Sequence, residues 1–260
     1  MHRNLPRCFA RLLAVVPLCV ASAACGADIQ VAVAANFAAP MKQIAAAFEK
    51  STRHKLLISN GATGRFYAQI KSGAPFEVLL AADQDTPARL EKDGLAVSGT
   101  RFTYATGRLV LWSARDAIVD ARGDVLKRGR FDHIAIANPR LAPYGAAAVA
   151  ALKSLGAYDA LAAKFVQGEN IAQVHQFVST GNALLGFVSL SQVLGEDGKL
   201  KSGSMWIVPE SAYPAIHQDA VLLNPGRDSA AARALLTFLK GAAAQRIMRN
   251  WGYTAGQPAP

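Results

Sequence analysis

Cysteine is scarce in this chain and stops early. Cys8, Cys19 and Cys25 are the three cysteines of 260 residues, and none lies beyond position 25. Without its first 27 residues the chain has no thiol, so a disulfide framework and a Cys-rich zinc site are both excluded. About 230 residues can stand on a hydrophobic core alone. Long apolar runs are missing too. Leu12 to Ala21 spans ten residues, too few for a membrane crossing, and no later run approaches one. Recognisable catalytic motifs are also absent: no Gly-x-Ser-x-Gly elbow, no Ser-x-x-Lys, no His-Glu-x-x-His and no Walker-type loop. Gly61-Ala62-Thr63-Gly64 is too short for that loop and lacks its lysine. The five histidines (His2, His54, His133, His175, His217) are scattered, with none at ligand spacing from another.

Residues 1–27 read as a secretory signal peptide. Arg3, Arg7 and Arg11 form the positive n-region, Leu12–Ala21 the apolar core, and small residues follow. Cleavage after Ala23 or Ala27 suits the small-residue rule, and a mature start near Asp28 is expected. Ala23-Ala24-Cys25 also offers a lipoprotein reading, with Cys25 as the lipidated residue. The position three before it is Ser22 rather than Leu, which favours plain cleavage. Export makes the expected location periplasmic and the mature chain a soluble one.

Acid is the minority charge: 28 Lys and Arg face 18 Asp and Glu, for a net +10. Removing the three leader arginines leaves +7. A basic balance fits nucleic acid, an anionic surface or a small anion. The densest cluster, Lys127-Arg128-Gly129-Arg130, has only Phe131 beside it, and export argues further against nucleic acid.

The mature sequence alternates apolar runs with amphipathic helical patterns, the signature of α/β architecture with a largely parallel sheet. Predicted strands are Ile29–Ala34, Leu56–Ser59, Val78–Ala82, Gly107–Trp112, Ile134–Ala137, Leu184–Val188, Met205–Val208 and Ala220–Leu223. Predicted helices carry Met41, Ile44, Ala45 and Phe48, then Phe66, Tyr67 and Ile70. Others open at Thr86-Pro87, run over 145–155 and 171–179, and close the chain over 229–239 and 242–251. There is no linker or solenoid repeat. Two crossings, near Arg108 and Asp219, imply two lobes: 28–107 with 220–260, and 108–219. Ligand is then expected between the lobes, at the carboxyl ends of the strands.

Four strand-to-helix turns carry the chemistry. A helix start leaves backbone N–H groups unpartnered at the positive end of the dipole, a ready anion site. Asn36 sits at the first turn and its amide has two donors. Thr63 sits at the second with a hydroxyl, between Gly61 and Gly64. A plain helix-cap role is open to both. Tyr144, after Asn138-Pro139-Arg140-Leu141-Ala142-Pro143, offers a phenol or a packed aromatic ring. Ile171, after Gly168-Glu169-Asn170, offers a backbone N–H or a core side chain. None of the four places a carboxylate as first contact, although Glu169 is close in sequence. Such a pocket suits an anion without protons, since a protonated phosphate needs an acceptor as well. Arg65 and Arg140 lie near the turns, for steering or for surface solvation.

These residues resemble the periplasmic molybdate-binding proteins of ABC importers, within the type II periplasmic-binding-protein fold. The pieces that carry the resemblance span the mature chain: Ala34-Ala35-Asn36-Phe37, Gly61-Ala62-Thr63-Gly64 with Tyr67-Ala68-Gln69-Ile70, Ser72-Gly73-Ala74-Pro75, Ala81-Ala82-Asp83, Ala137-Asn138-Pro139 with Pro143-Tyr144-Gly145, and Gly186-Phe187-Val188. The resemblance implies a two-lobe α/β fold, each lobe a mostly parallel sheet flanked by helices. It implies a molybdate site, with tungstate as a second guest, formed by Asn36, Thr63, Tyr144 and Ile171. Asn36 and Thr63 fall on family serines, and Ile171 on a valine that gives its backbone N–H. Ala35, Ala62 and Ser189 are expected as lesser contacts. Ser189 stands where some members carry a binding tyrosine, so the phenol is expected from Tyr144. Molybdenum would be held as the oxyanion, with no direct metal ligand and no cofactor. The partners implied are the anion and an inner-membrane permease, the chain being a monomer and not an enzyme. A same-fold protein for sulfate or another small anion is the alternative, and a secreted hydrolase a more distant one.

Overall fold

A computed structural model describes residues 26–255. The leader's n-region, its apolar core and the lipidation reading at Cys25 lie outside the described residues. The chain opens with β1 (Asp28–Ala34), a 3-10 turn (Ala35–Phe37), α1 (Ala38–Thr52), β2 (Lys55–Gly61), α2 (Thr63–Lys71), β3 (Val78–Leu80), α3 (Asp85–Lys92) and β4 (Phe102–Gly107). It continues through β5 (Leu109–Ser113), α4 (Val125–Arg128), β6 (Ile134–Ala137), α5 (Pro143–Ser154), α6 (Tyr158–Leu161), β7 (Phe165–Gly168) and α7 (Ile171–Ser179). Then come β8 (Leu185–Ser189), α8 (Leu190–Val193), β9 (Ser204–Ile207), β10 (Ile216–Leu222), α9 (Ala230–Lys240), α10 (Ala242–Asn250) and β11 (Thr254–Ala255).

Two sheets result, in the orders β11-β4-β10-β3-β1-β2 and β7-β6-β8-β5-β9. In the first, β1 pairs in parallel with β2 and β3, while β10 runs antiparallel between β3 and β4. In the second, β6 pairs in parallel with β7 and β8, while β5 runs antiparallel between β8 and β9. Each sheet is thus a co-directional set with one reversed strand inserted, and the first carries a second reversed strand, β11, at its edge beside β4. The chain leaves the first sheet at Arg108, between β4 and β5.

It returns before Asp219, ahead of the sequence-based boundary. Ile216 is already paired with Gly107, and His217 with Thr106. The reason is chemical. The first half of β10 carries His217, Gln218 and Asp219, so hydropathy alone starts the strand at Ala220. A register shift between Gln218 and Asp219 hides the alternation further. Strand β4, with Thr103 and Thr106, goes unread for the same reason, as does short β7.

The helices follow their apolar spacing. In α1 the buried residues are Pro40, Met41, Ile44, Ala45 and Phe48, one stripe facing the first sheet. Phe48 is fully buried and meets Phe238 edge to face at 5.5 Å. Truncating it to Ala should cost about 3–5 kcal/mol. Helix α7 starts where Asn170 accepts from the N–H groups of Ala172 and Gln173, satisfying two otherwise unpaired donors. This packing holds four helix starts at neighbouring strand ends.

Candidate functional site

The parallel registers decide where the turns meet. Ala34 of β1 stands beside Gly61 of β2, and Ala137 of β6 beside Gly168 of β7. Each strand therefore ends level with its neighbour, and the next residues enter a helix. Asn36, Thr63, Tyr144 and Ile171 all line one small cavity, with Ala35, Ala62, Ala82, Ala142 and Asn170 among the remaining wall. Its volume is about 10 Å³, far below the roughly 300–1,000 Å³ of drug-sized ligand sites. All four residues are at most 3 % exposed.

The cavity wall is made of donors. Asn36 lies in the 3-10 turn, Thr63 and Ile171 are first residues of their helices, and Tyr144 is a second residue. Their backbone N–H groups have no hydrogen-bond partner among the described residues. At the start of α7 the Asn170 side chain takes the next two N–H groups and leaves that of Ile171 free. Gln192 Nε2 donates to the Ile171 carbonyl at 3.0 Å, which fixes that peptide.

Two hydroxyls add to this set, and their direction is constrained. Thr63 Oγ1 accepts from the Ala82 N–H at 3.0 Å. Tyr144 Oη accepts from Gln218 Nε2 at 3.2 Å. Each hydroxyl still has its proton to give. Burial holds the Tyr144 and Tyr104 phenols well above the usual tyrosine range and pushes Tyr253 up to about 12. All three stay protonated at neutral pH. No Asp, Glu, Lys, Arg or His lines the cavity. A larger groove beside it, open to solvent, shares Ala82, Ala142 and Pro143 but carries Asp83 and Asp85, which repel an anion.

The structure corrects two details. Both amide protons of Asn36 are already committed, to Gln218 Oε1 at 3.0 Å and Tyr253 Oη at 2.9 Å. Asn36 thus presents its backbone N–H, rather than the amide donors expected from sequence. Ser189 is fully buried but is not part of the cavity wall. It is the last residue of β8 and caps α8, where it bonds Gln192 and Ser191. Arg65 forms an ion pair with Glu169 at 2.8 Å, joining α2 to the turn before α7. Arg140 lines the larger groove.

A supporting set escapes sequence reading. Gln218, fully buried, receives the Asn36 amide and the Tyr104 hydroxyl on Oε1, both at 3.0 Å, and donates to Tyr144. Ser191 Oγ and Tyr253 Oη donate to the Asn36 carbonyl at 2.7 and 3.0 Å. The one local signal is a glutamine leading into the apolar Ala220-Val221-Leu222, a polar side chain in a buried strand. Its partners lie 74 to 182 residues away.

Comparison with known proteins agrees with this architecture. The family model described as bacterial extracellular solute-binding protein matches residues 29–254. The molybdate-binding protein ModA of Azotobacter vinelandii is 58% identical over 234 residues, which cover 90% of this chain and 92% of that protein. ModA of Rhodobacter capsulatus is 49% identical over 247 residues, 95% of this chain and 96% of the relative. The solved periplasmic molybdate-binding protein of Azotobacter vinelandii superposes with a TM-score of 0.86 at 40% identity, over 88% of this chain and 100% of that one. These relatives are binding proteins. The chain belongs to the bacterial extracellular solute-binding protein family.

Proposed function

We propose that this chain captures molybdate, and tungstate with it, in the periplasm and delivers it to the membrane permease of an ABC importer. The observation that carries the reading is a small cavity walled by N–H and O–H donors, without one Asp, Glu, Lys, Arg or His side chain. A fully deprotonated oxyanion only accepts hydrogen bonds, so it pairs with such a wall. The names of the 58% and 49% identical relatives point to the same guest.

Charge is balanced without a countercharge. Each helix start acts as roughly +0.5 elementary charge, so four together approach the charge of a dianion. The donors are Thr63 Oγ1, Tyr144 Oη and the backbone N–H groups of Asn36, Thr63, Tyr144 and Ile171, with Ala35 and Ala62 as neighbouring wall. They are held before the ligand arrives, which limits the reorganisation needed on binding.

Capture is closure of two lobes, one on each sheet. We assign 28–107 and 216–255 to the first and 108–215 to the second. Contacts that bridge them include Gly64 N–H to the Leu141 carbonyl at 2.9 Å, Arg65 to Glu169, Gln218 to Tyr144, and Ser191 Oγ to the Asn36 carbonyl at 2.7 Å. The ligand adds contacts to both lobes at once and shifts the population toward the closed form. The net positive charge of the mature chain favours anion encounter. The chain acts as a monomer.

Calorimetric titration of ligand-free protein with molybdate, tungstate, sulfate and phosphate tests the reading. Molybdate and tungstate should bind at least tenfold more tightly than sulfate, and phosphate not at all. Sulfate binding as tightly as molybdate overturns the assignment.

A further inference from the structure

We infer that Gln218 is a positioning residue that sets the polarity of the anion site, by occupying the acceptor face of Tyr144 so that this phenol can only donate. The inference rests on the proposed oxyanion function and deepens it. Gln218 lies on β10 in the first sheet, and Tyr144 on α5 beside the second. The glutamine is fully buried, and both ends of its amide are engaged.

Its orientation follows from its partners. Oε1 receives the Asn36 amide, and the Tyr104 hydroxyl, 3.0 Å from both Oε1 and the Ala81 carbonyl, shares its one proton between them. Nε2 is left facing Tyr144 Oη and donates to it. A phenol has one proton and an acceptor face. With that face taken by Gln218, the proton is left for an acceptor in the cavity, the Tyr253 phenol being its other neighbour. Thr63 is treated the same way by the Ala82 N–H, but that donor is backbone and invariant to side-chain change. Gln218 is the side chain through which sequence can change the polarity.

Space for this contact is reserved. A Cβ on Gly107, the residue paired with Ile216 at the start of β10, would fall on the Tyr144 hydroxyl oxygen. It would also lie 2.5 Å from Gln218 Nε2. A glycine at the chain crossing lets the phenol and the amide meet. A glutamine used only to fill the core would not need the opposing phenol at hydrogen-bond distance.

The proposal has a consequence that a structural role lacks. Gln218→Glu keeps the shape but removes the donor. The carboxylate can only accept, so Tyr144 must donate to it and turn its lone pair toward the cavity. A hydrogen bond to the anion is then replaced by a repulsive contact. Loss of one hydrogen bond to a charged group corresponds to a roughly ten- to 150-fold weaker Kd.

The test is a double-mutant cycle on molybdate affinity, by calorimetry, with Gln218→Glu, Tyr144→Phe and the double variant, and thermal unfolding run on each. In the wild-type background Tyr144→Phe should weaken molybdate binding about tenfold or more. In the Gln218→Glu background the same change should leave affinity equal or improve it, since it deletes the misdirected lone pair. Tyr144→Phe costing the same factor in both backgrounds overturns the proposal. If Gln218→Glu does not fold, Gln218→Leu takes its place. It frees the phenol to accept, so the phosphate-to-molybdate affinity ratio should rise at least tenfold and fall back when Tyr144→Phe is added. An unchanged ratio overturns the proposal. Wild-type protein that fails to bind molybdate refutes instead the functional reading on which this rests.

Discussion

Gly107→Ala puts the site geometry under the most direct strain. The added methyl would overlap the Tyr144 hydroxyl and lie 3.0 Å from Tyr144 Cζ. Ordinary carbon contacts need 3.4 Å or more, so the ring and its oxygen must both move. Tyr144 and Gln218 are essentially without solvent exposure, leaving them no open space to retreat into. Two costs follow. Overpacking of a filled interior destabilises by about 1–3 kcal/mol, and for a chain of this size each kcal/mol lowers Tm by roughly 2–4 °C. The displaced phenol also stops donating to the anion, which costs about 1.5–3 kcal/mol of binding, or roughly ten- to 150-fold in Kd. Calorimetry with molybdate and a melting curve read the two costs separately. Combined with Tyr144→Phe, which has no hydroxyl to displace, the same glycine change should cost much less binding. A Gly107→Ala protein that binds molybdate with wild-type Kd refutes the claim that the phenol donates from this position.

Other consequences are more local. Gly64→Ala would place a methyl 3.1 Å from Leu141 Cα and 3.2 Å from its carbonyl oxygen, both backbone atoms across the cleft. Closure should weaken while the fold stands: Kd for molybdate rises about tenfold, and the melting point without ligand moves by less than about 3 °C. Arg65→Ala breaks an ion pair whose partners are 60% and 39% exposed. Such pairs contribute about 0–1 kcal/mol, so Kd should rise less than about fivefold, and less again in high salt. Burial raises the Asp83 carboxyl above its ordinary value, despite hydrogen bonds from the Thr86 N–H and hydroxyl. A raised folded-state value means that this group's stabilisation is present at acid pH and lost as pH rises through that value. Asp83→Asn should therefore raise Tm at pH 7, with the gain shrinking toward zero as pH falls below the ordinary carboxylate range.

Much of the fold is legible in local pattern because its strands are continuous apolar runs and its helices bury one stripe. Ile134–Ala137 and 171–179 are read with the boundaries that the structure has, since each is bounded by a turn signal and filled by core residues. What escapes is the middle of the first sheet. There β4 and β10 exchange polar partners across the ladder: Thr103 and Arg101 with Asp219, Tyr104 with Gln218, and Thr106 with His217. Each of these side chains argues against a buried strand when taken alone, and each of these pairings joins residues more than 100 positions apart.

The site divides in the same way. Helix starts after strands are visible in sequence, so Asn36, Thr63, Tyr144 and Ile171 are found as cavity residues. Which atom each presents is not visible. Asn36 looks like an amide donor until Gln218 and Tyr253 take both protons. Ser189 looks available until α8 begins on it. Donor direction depends on long-range partners, whereas position depends on local chain geometry.

A crystal structure of the protein with molybdate, using anomalous scattering to locate the metal, tests the central claim most directly. The account expects one strong peak in the cavity between the two sheets. The anion's oxygens should lie within hydrogen-bond distance of Thr63 Oγ1, Tyr144 Oη and the Ile171 N–H, with no carboxylate in contact. A peak in the groove beside Asp83, or an anion held by Arg65 or Arg140 instead, would contradict it.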